Sequence, residues 1–242
     1  MNRNYFLLMM LAVVLPFTSC NDEETVDPKT VVIEADFNKS ANSDGAVDGW
    51  KAVFAEYPDG EQEFYELESG QKNLPEPLDK TKKAFMLSGN NHSDALQMWL
   101  VKQLSGLAAN AKYTMETEVE LASKYPDGSV GIGGSPGNAV HLVSHFSTGG
   151  YTLEKKQGSN IQLILSKTEE ISDVVASIDL GDVSINSSEY TYQLITRKKS
   201  STPAYVRTDS QGKLWAIVGT WSGFEGISTL YYTRIKITLT KI

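Results

Sequence analysis

Tyr113-Thr114-Met115-Glu116-Thr117-Glu118-Val119-Glu120-Leu121 is the stretch that decides the fold class. Side chains alternate across an extended chain, so Tyr113, Met115, Val119 and Leu121 share one face while Glu116, Glu118 and Glu120 share the other. A helix would scatter the three glutamates around its axis; a strand sends them all to water and buries the rest. The C-terminus repeats the pattern, with Ile235, Ile237 and Leu239 opposed to Arg234, Lys236 and Thr238. Further strands are expected at 31–37, 62–67, 83–88, 95–104, 139–146, 161–165, 174–180, 190–197 and 213–219. They are short and punctuated by Gly, Asn, Asp and Pro, and no stretch carries a helical pattern capped at both ends. That combination reads as an all-β sandwich or barrel. Tyr-Pro-Asp-Gly occurs at 57–60 and again at 125–128 in unrelated surroundings, as two turns and not as an internal repeat.

Composition narrows the function classes. The 242 residues are 40% hydrophobic and 21% charged, values of a globular chain and not of a disordered one. Asp and Glu number 30 against 22 Lys and Arg, an acidic balance that argues against nucleic acid, because phosphate contacts need clustered cations. One cysteine excludes an internal disulfide framework and a thiolate-rich metal site.

That cysteine has a telling position. Arg3 precedes an apolar run from Tyr5 to Pro16, the layout of a secretory signal peptide and too short for a span of about 20 residues. Phe17-Thr18-Ser19-Cys20 follows and resembles the lipobox of bacterial lipoproteins, although Phe17 stands where leucine is usual. The resemblance implies cleavage after residue 19 and acylation of Cys20, which would leave no free thiol for catalysis. Asn21-Asp22-Glu23-Glu24 resembles the export signal that sends lipoproteins of the Bacteroides group to the outer face of the outer membrane. Residues 1–19 are thus read as a signal peptide, 20–30 as a lipidated tether and 31–242 as one β-sandwich domain.

Several motifs suggest chemistry and fail on inspection. Gly133-Gly134-Ser135-Pro136-Gly137 matches the form of a nucleophile elbow, but Pro136 lacks the N–H needed for the oxyanion and a strand, not a helix, is expected next. His141 and His145 share a strand face about 13 Å apart, too far for one ion, and read as solvent-side or groove-lining residues. Carboxylates are plentiful, but nothing in one dimension makes two of them converge as a glycoside-cleaving pair. Asn42-Ser43-Asp44 with Asp48, and Asn90-Asn91 with Asp94, are oxygen-rich loops that could hold Ca²⁺; neither has the fixed spacing of a known calcium loop, turn chemistry explains them more cheaply, and no cofactor is expected.

The aromatic residues say more. Trp99 lies between Gln97 and Gln103 on one strand face, either beneath another layer or displayed in a groove. Gly219-Thr220-Trp221-Ser222-Gly223-Phe224-Glu225-Gly226 reads as a loop that sets two large aromatics beside a carboxylate, more apolar area than a loop needs for itself. Trp221, Phe224, Glu225 and Trp99 are therefore the candidate ligand-binding residues.

Gly89-Asn90-Asn91-His92-Ser93-Asp94, Glu120-Leu121-Ala122-Ser123, the Gly131-to-Gly137 loop and Gly223-Phe224-Glu225-Gly226 running into Leu230-Tyr231-Tyr232 resemble uncharacterised Bacteroides-type surface lipoproteins. Gly106-Leu107, Asn110 and Tyr113 are similar to the strand-opening of non-catalytic, jelly-roll carbohydrate-binding modules; Thr233 stands where many of those carry Asp. The resemblance implies an antiparallel β-sandwich of jelly-roll type and a cell-surface binding protein for glycans or glycoconjugates. A protein-interaction or adhesion subunit of an outer-membrane assembly, and a glycoside-active enzyme, remain the alternatives.

Overall fold

The computed structural model describes residues 29–155, 158–166, 173 and 175–242. Cys20, the signal segment and all but the end of the tether lie outside them. Among the described residues there is no helix. Fourteen strands form two facing antiparallel sheets and one hairpin: β1 (Thr30–Glu34), β2 (Lys51–Ala55), β3 (Glu68–Asn73), β4 (Lys83–Asn91), β5 (Gln97–Leu104), β6 (Lys112–Ser123), β7 (Val140–Ser147), β8 (Tyr151–Glu154), β9 (Gln162–Leu165), β10 (Val175–Asp182), β11 (Gln193–Ser200), β12 (Val206–Arg207), β13 (Leu214–Ser222) and β14 (Gly226–Lys241). The larger sheet runs β11-β6-β14-β4-β3, with β1 on β14 and β12 on β6; the smaller runs β10-β7-β13-β5-β2. Taken in that order, every strand of one sheet matches a sequence neighbour in the other, so the chain repeatedly crosses between layers. The fold is an all-β sandwich of jelly-roll type.

β6 behaves as its alternation demands. Tyr113, Met115, Val119 and Leu121 are buried in the shared core, and Thr117, the remaining inward residue, donates its hydroxyl to Ser144 Oγ of the opposite sheet at 3.1 Å. Its glutamates join a charge ladder on the outer face, where Lys198, Glu118, Lys236 and Glu34 stand side by side on β11, β6, β14 and β1. Opposite charges directly across a sheet stabilise it, so this face is a solvated surface.

Three expectations are corrected. Residues 62–67 form successive turns that bury Tyr65, and the strand lies one step on, in β3. β2, β3, β8 and β12 were not foreseen: β3, Glu-Ser-Gly-Gln-Lys-Asn, is an exposed edge strand with no apolar face to reveal it. The segment 219–226 is not all loop, because β13 continues through Ser222. Gly219 suggested a break, yet its hydrogen occupies a place where a Cβ would stand 2.9 Å from Cε3 of Trp99. The tighter constraint is backbone, since the same Cβ would overlap Met98 O, so the glycine lets β13 and β5 approach closely with the indole laid over it.

Candidate functional site

The outward face of the smaller sheet carries the aromatic residues. In one row across its strands stand Asp182 (β10), His141 (β7), Trp221 (β13), Gln97 (β5) and Ala55 (β2). Two residues further along stand Asp179, Val143, Gly219, Trp99 and Val53. The β8–β9 hairpin packs Tyr151, Leu163 and Leu165 onto the second row, and Trp99 is only 2% exposed beneath it. Trp99 is therefore not a displayed platform. Its Nε1 donates to Gln97 Oε1 at 3.1 Å, and His145 meets its ring edge-on at 5.1 Å. Burial pushes the His145 imidazole down to about 4, while its Nδ1 lies 2.7 Å from Ser177 Oγ.

The first row escapes the hairpin. Trp221 is 40% exposed and stacks on His141 with ring centroids 4.3 Å apart and planes 20° from parallel. The imidazole backs one face of the indole and fixes its tilt. Polar groups flank the pair: Gln97 on one side, and on the other Asp182, which accepts from Asn138 Nδ2 at 3.0 Å and from Ser184 Oγ at 2.7 Å. Burial works to raise the Asp182 carboxyl, but the bonds from Ser184 and Asn138 and the Arg197 charge outweigh it, and the group is held below the usual carboxylate range. His141 and His145 thus sit on separate tryptophans and share no ligand.

Phe224 does not offer a ring face. It packs against the main core and lies where a Cβ on Gly131 or on Gly226 would come within 2.6 Å of its ring. Phe224 is a plug held between two glycines. Glu225 is half-buried; its N–H donates to Ile132 O at 2.9 Å, which joins the 131–137 and 223–226 loops, and its carboxylate makes no hydrogen bond or ion pair among the described residues.

Asn91 holds these loops together and was invisible in the sequence as a site residue. It is 2% exposed; its Nδ2 donates to Ser222 O and Phe224 O, both at 2.8 Å, and its Oδ1 accepts from Ser93 N at 3.1 Å and Leu96 N at 3.3 Å. One side chain therefore sets the backbone on both sides of Gly223, two residues after Trp221. A second exposed stack, Phe64 on His92 at 4.3 Å and 21°, lies beside it and was also missed.

The remaining motifs resolve into local structure. Ser135 Oγ accepts from Gly137 N and Asn138 N and so shapes its own loop. In the first oxygen-rich loop Asp48 pairs with Lys39 at 2.8 Å and Asp44 with Lys51 at 2.6 Å. In the second, the Asn91 amide is committed to backbone groups, and Asn90 donates to Glu66. Among the described residues, no three His, Cys, Asp or Glu side chains converge as a metal site requires.

No protein-family model matches the chain, and no curated protein is similar to it in sequence. Among solved structures it is similar to a putative sugar binding protein from Bacteroides thetaiotaomicron VPI-5482, at 9% identity and TM-score 0.37, over 86% of this chain and 95% of that one. It is similar to a carbohydrate-binding module of the β-sandwich superfamily at 12% identity and TM-score 0.36, over 82% and 60% of the two chains. The enzymatically active domain of bacteriophage CBA120 tailspike protein 4 is similar at 10% identity and TM-score 0.34, over 85% of this chain and 22% of that one. The chain thus spans three fifths of the second chain and less than a quarter of the third.

Proposed function

We propose that this protein is a Bacteroides-type surface lipoprotein, anchored through Cys20 to the outer membrane and facing the cell exterior, whose β-sandwich binds glycans through the Trp221–His141 platform. The observation that carries the reading is the half-exposed indole stacked on its imidazole, in a row that also presents Gln97 and Asp182. A sugar ring offers a flat C–H face and a rim of hydroxyls, and it needs an aromatic plane beside amide and carboxylate groups. Trp221 supplies the plane, already oriented, so little ordering entropy is lost on binding. Gln97, Asp182 and Glu225 supply acceptors for hydroxyls.

A glycan-array screen followed by Trp221→Ala tests this. The variant should lose affinity for every neutral glycan that binds the wild type, while Trp99→Ala should instead lose roughly 3–5 kcal/mol of stability as a buried aromatic does. Full affinity in Trp221→Ala would remove the platform from the site. A second reading, a protein-interaction subunit, is favoured by Val130 and Ile132, 94% and 72% exposed on the loop beside Glu225; it becomes the better one if no glycan on the array binds.

A further inference from the structure

β14 changes neighbours halfway along its length. Its residues from Gly226 to Tyr232 pair with β4, and those from Lys236 to Thr240 pair with β1. β1 and β4 therefore lie end to end along one edge of β14, and the register against β6 shifts between Tyr232 and Arg234 at the same level. A cleft of about 450 Å³ opens at this seam, on the larger sheet and away from Trp221. Its size lies within the roughly 300–1,000 Å³ range of small-molecule sites.

The groups in the cleft are of three kinds. Lys82 and Lys83 contribute two cations that make no ion pair among the described residues; Asp79, whose carboxyl feels Lys82, is hydrogen-bonded to Thr81. Arg234, by contrast, is already matched by Glu118 and by Glu34. Asp36 and Glu120 contribute carboxylates held in place: Asp36 Oδ1 accepts from Asn38 N at 3.1 Å, and Glu120 Oε1 accepts from Thr233 Oγ1 at 2.8 Å. Leu194, 44% exposed, and the buried Leu74 contribute an apolar wall. The opposite sides are tied, because Asn38 Oδ1 accepts from Lys83 N at 3.1 Å.

We infer that this seam cleft is a second ligand site and that it takes an anionic saccharide, a sugar bearing a carboxylate or a sulfate. The anion meets Lys82 and Lys83 in charge-assisted contacts. The hydroxyls donate to Asp36 and Glu120, which are acceptors only. The ring C–H face lies against Leu194. A bare inorganic anion would leave the second oxygens of the two carboxylates and the leucine unused, and a neutral sugar would bring no counter-charge to the two ammonium groups. The inference does not depend on the Trp221 reading.

Calorimetric titration of the purified protein with trigalacturonate, a chondroitin 4-sulfate disaccharide, neutral α-1,4-galactotriose and sodium sulfate tests it. One or both anionic saccharides should bind, more weakly as NaCl rises from 20 to 300 mM, and the trigalacturonate and sulfated arms separate carboxylate from sulfate recognition. Lys82→Ala with Lys83→Ala should weaken that binding roughly tenfold or more, and Trp221→Ala should leave it unchanged. Glu120→Gln, which keeps an acceptor for Thr233, should weaken it several-fold with the melting temperature preserved, and it serves if the double lysine variant folds poorly. The inference is overturned if neither anionic saccharide binds, if galactotriose or sulfate alone binds Trp221→Ala as tightly, or if the lysine and Glu120 variants keep wild-type affinity.

Discussion

Replacing Asn91 tests how the site is held. Asn91→Ala removes two donations of 2.8 Å, to Ser222 O and Phe224 O, and the acceptor of Ser93 N and Leu96 N. Phe224 O keeps a second donor in Ser222 Oγ at 2.9 Å, so the heavier loss falls on Ser222 O, which is buried. A buried polar group left without a partner costs about 1–3 kcal/mol. With the lesser losses added, the variant should be destabilised by about 2–4 kcal/mol, or roughly 5–15 °C in Tm for a domain of this size. Asn91→Asp is the sharper probe because it keeps the shape. It turns the donor aimed at two carbonyls into an acceptor. Burial and the facing carbonyls would raise the folded pKa of the new carboxyl above its unfolded value of about 3.9. The native state then binds the proton more tightly than the unfolded chain, so the deficit is smallest below pH 4 and grows as pH rises through the raised pKa. Thermal melts of both variants and wild type from pH 3.5 to 8 provide the assay. A gap between Asn91→Asp and wild type that stays constant across that range, or an Asn91→Ala variant within 1 kcal/mol of wild type, would refute the account.

Two other predictions follow from the same structure and the same N-terminal reading. His145 is held neutral by burial at a pKa of about 4, so the stability it shares with the native state above its unfolded pKa of about 6.5 is lost as pH falls through that window, by up to about 3 kcal/mol. The unfolding free energy of His145→Gln should fall less steeply than wild type between pH 6.5 and 4, and parallel curves would show that the imidazole is not desolvated. Cys20→Ser should move the protein from the membrane to the soluble fraction, since each buried CH₂ of an acyl chain contributes about 0.8 kcal/mol; a variant that stays with the membrane after a salt wash is not lipid-anchored.

The fold was legible wherever one strand face is apolar and the other charged. β6 and the second half of β14 announce themselves in this way, because a period-two pattern is the direct imprint of a core on one side and water on the other. β3 leaves no such imprint, being an exposed edge strand. The site was only partly legible for a different reason. Trp99 and Trp221 point to the same side of adjacent strands, and nothing local distinguishes them; the distinction comes from the β8–β9 hairpin, which lies over one and stops short of the other. His141 becomes the backing of Trp221 only through the β7–β13 register. Asn91 reads as turn chemistry, and its importance lies in carbonyls 131 and 133 residues away.

β14 has one more consequence. From Gly226 to Thr240 it is nearly uninterrupted, and at about 3.3 Å per residue it is roughly 45 Å long. Thr30 pairs with Thr240 at one tip, while the Asn91 junction and Trp221 sit at the other, where Gly226 pairs with Asn91. A molecule tethered through Thr30 therefore carries its tryptophan at the far tip of a rigid spacer. Ten residues of tether would add up to about 35 Å of reach. The Debye length at physiological salt is about 8 Å, so the negative potential of a lipid surface fades long before it arrives at Trp221. If the chain is anchored as proposed, charged polymers repelled from the headgroups can still approach the indole, and the strength of that encounter should not change with the lipid composition beneath it.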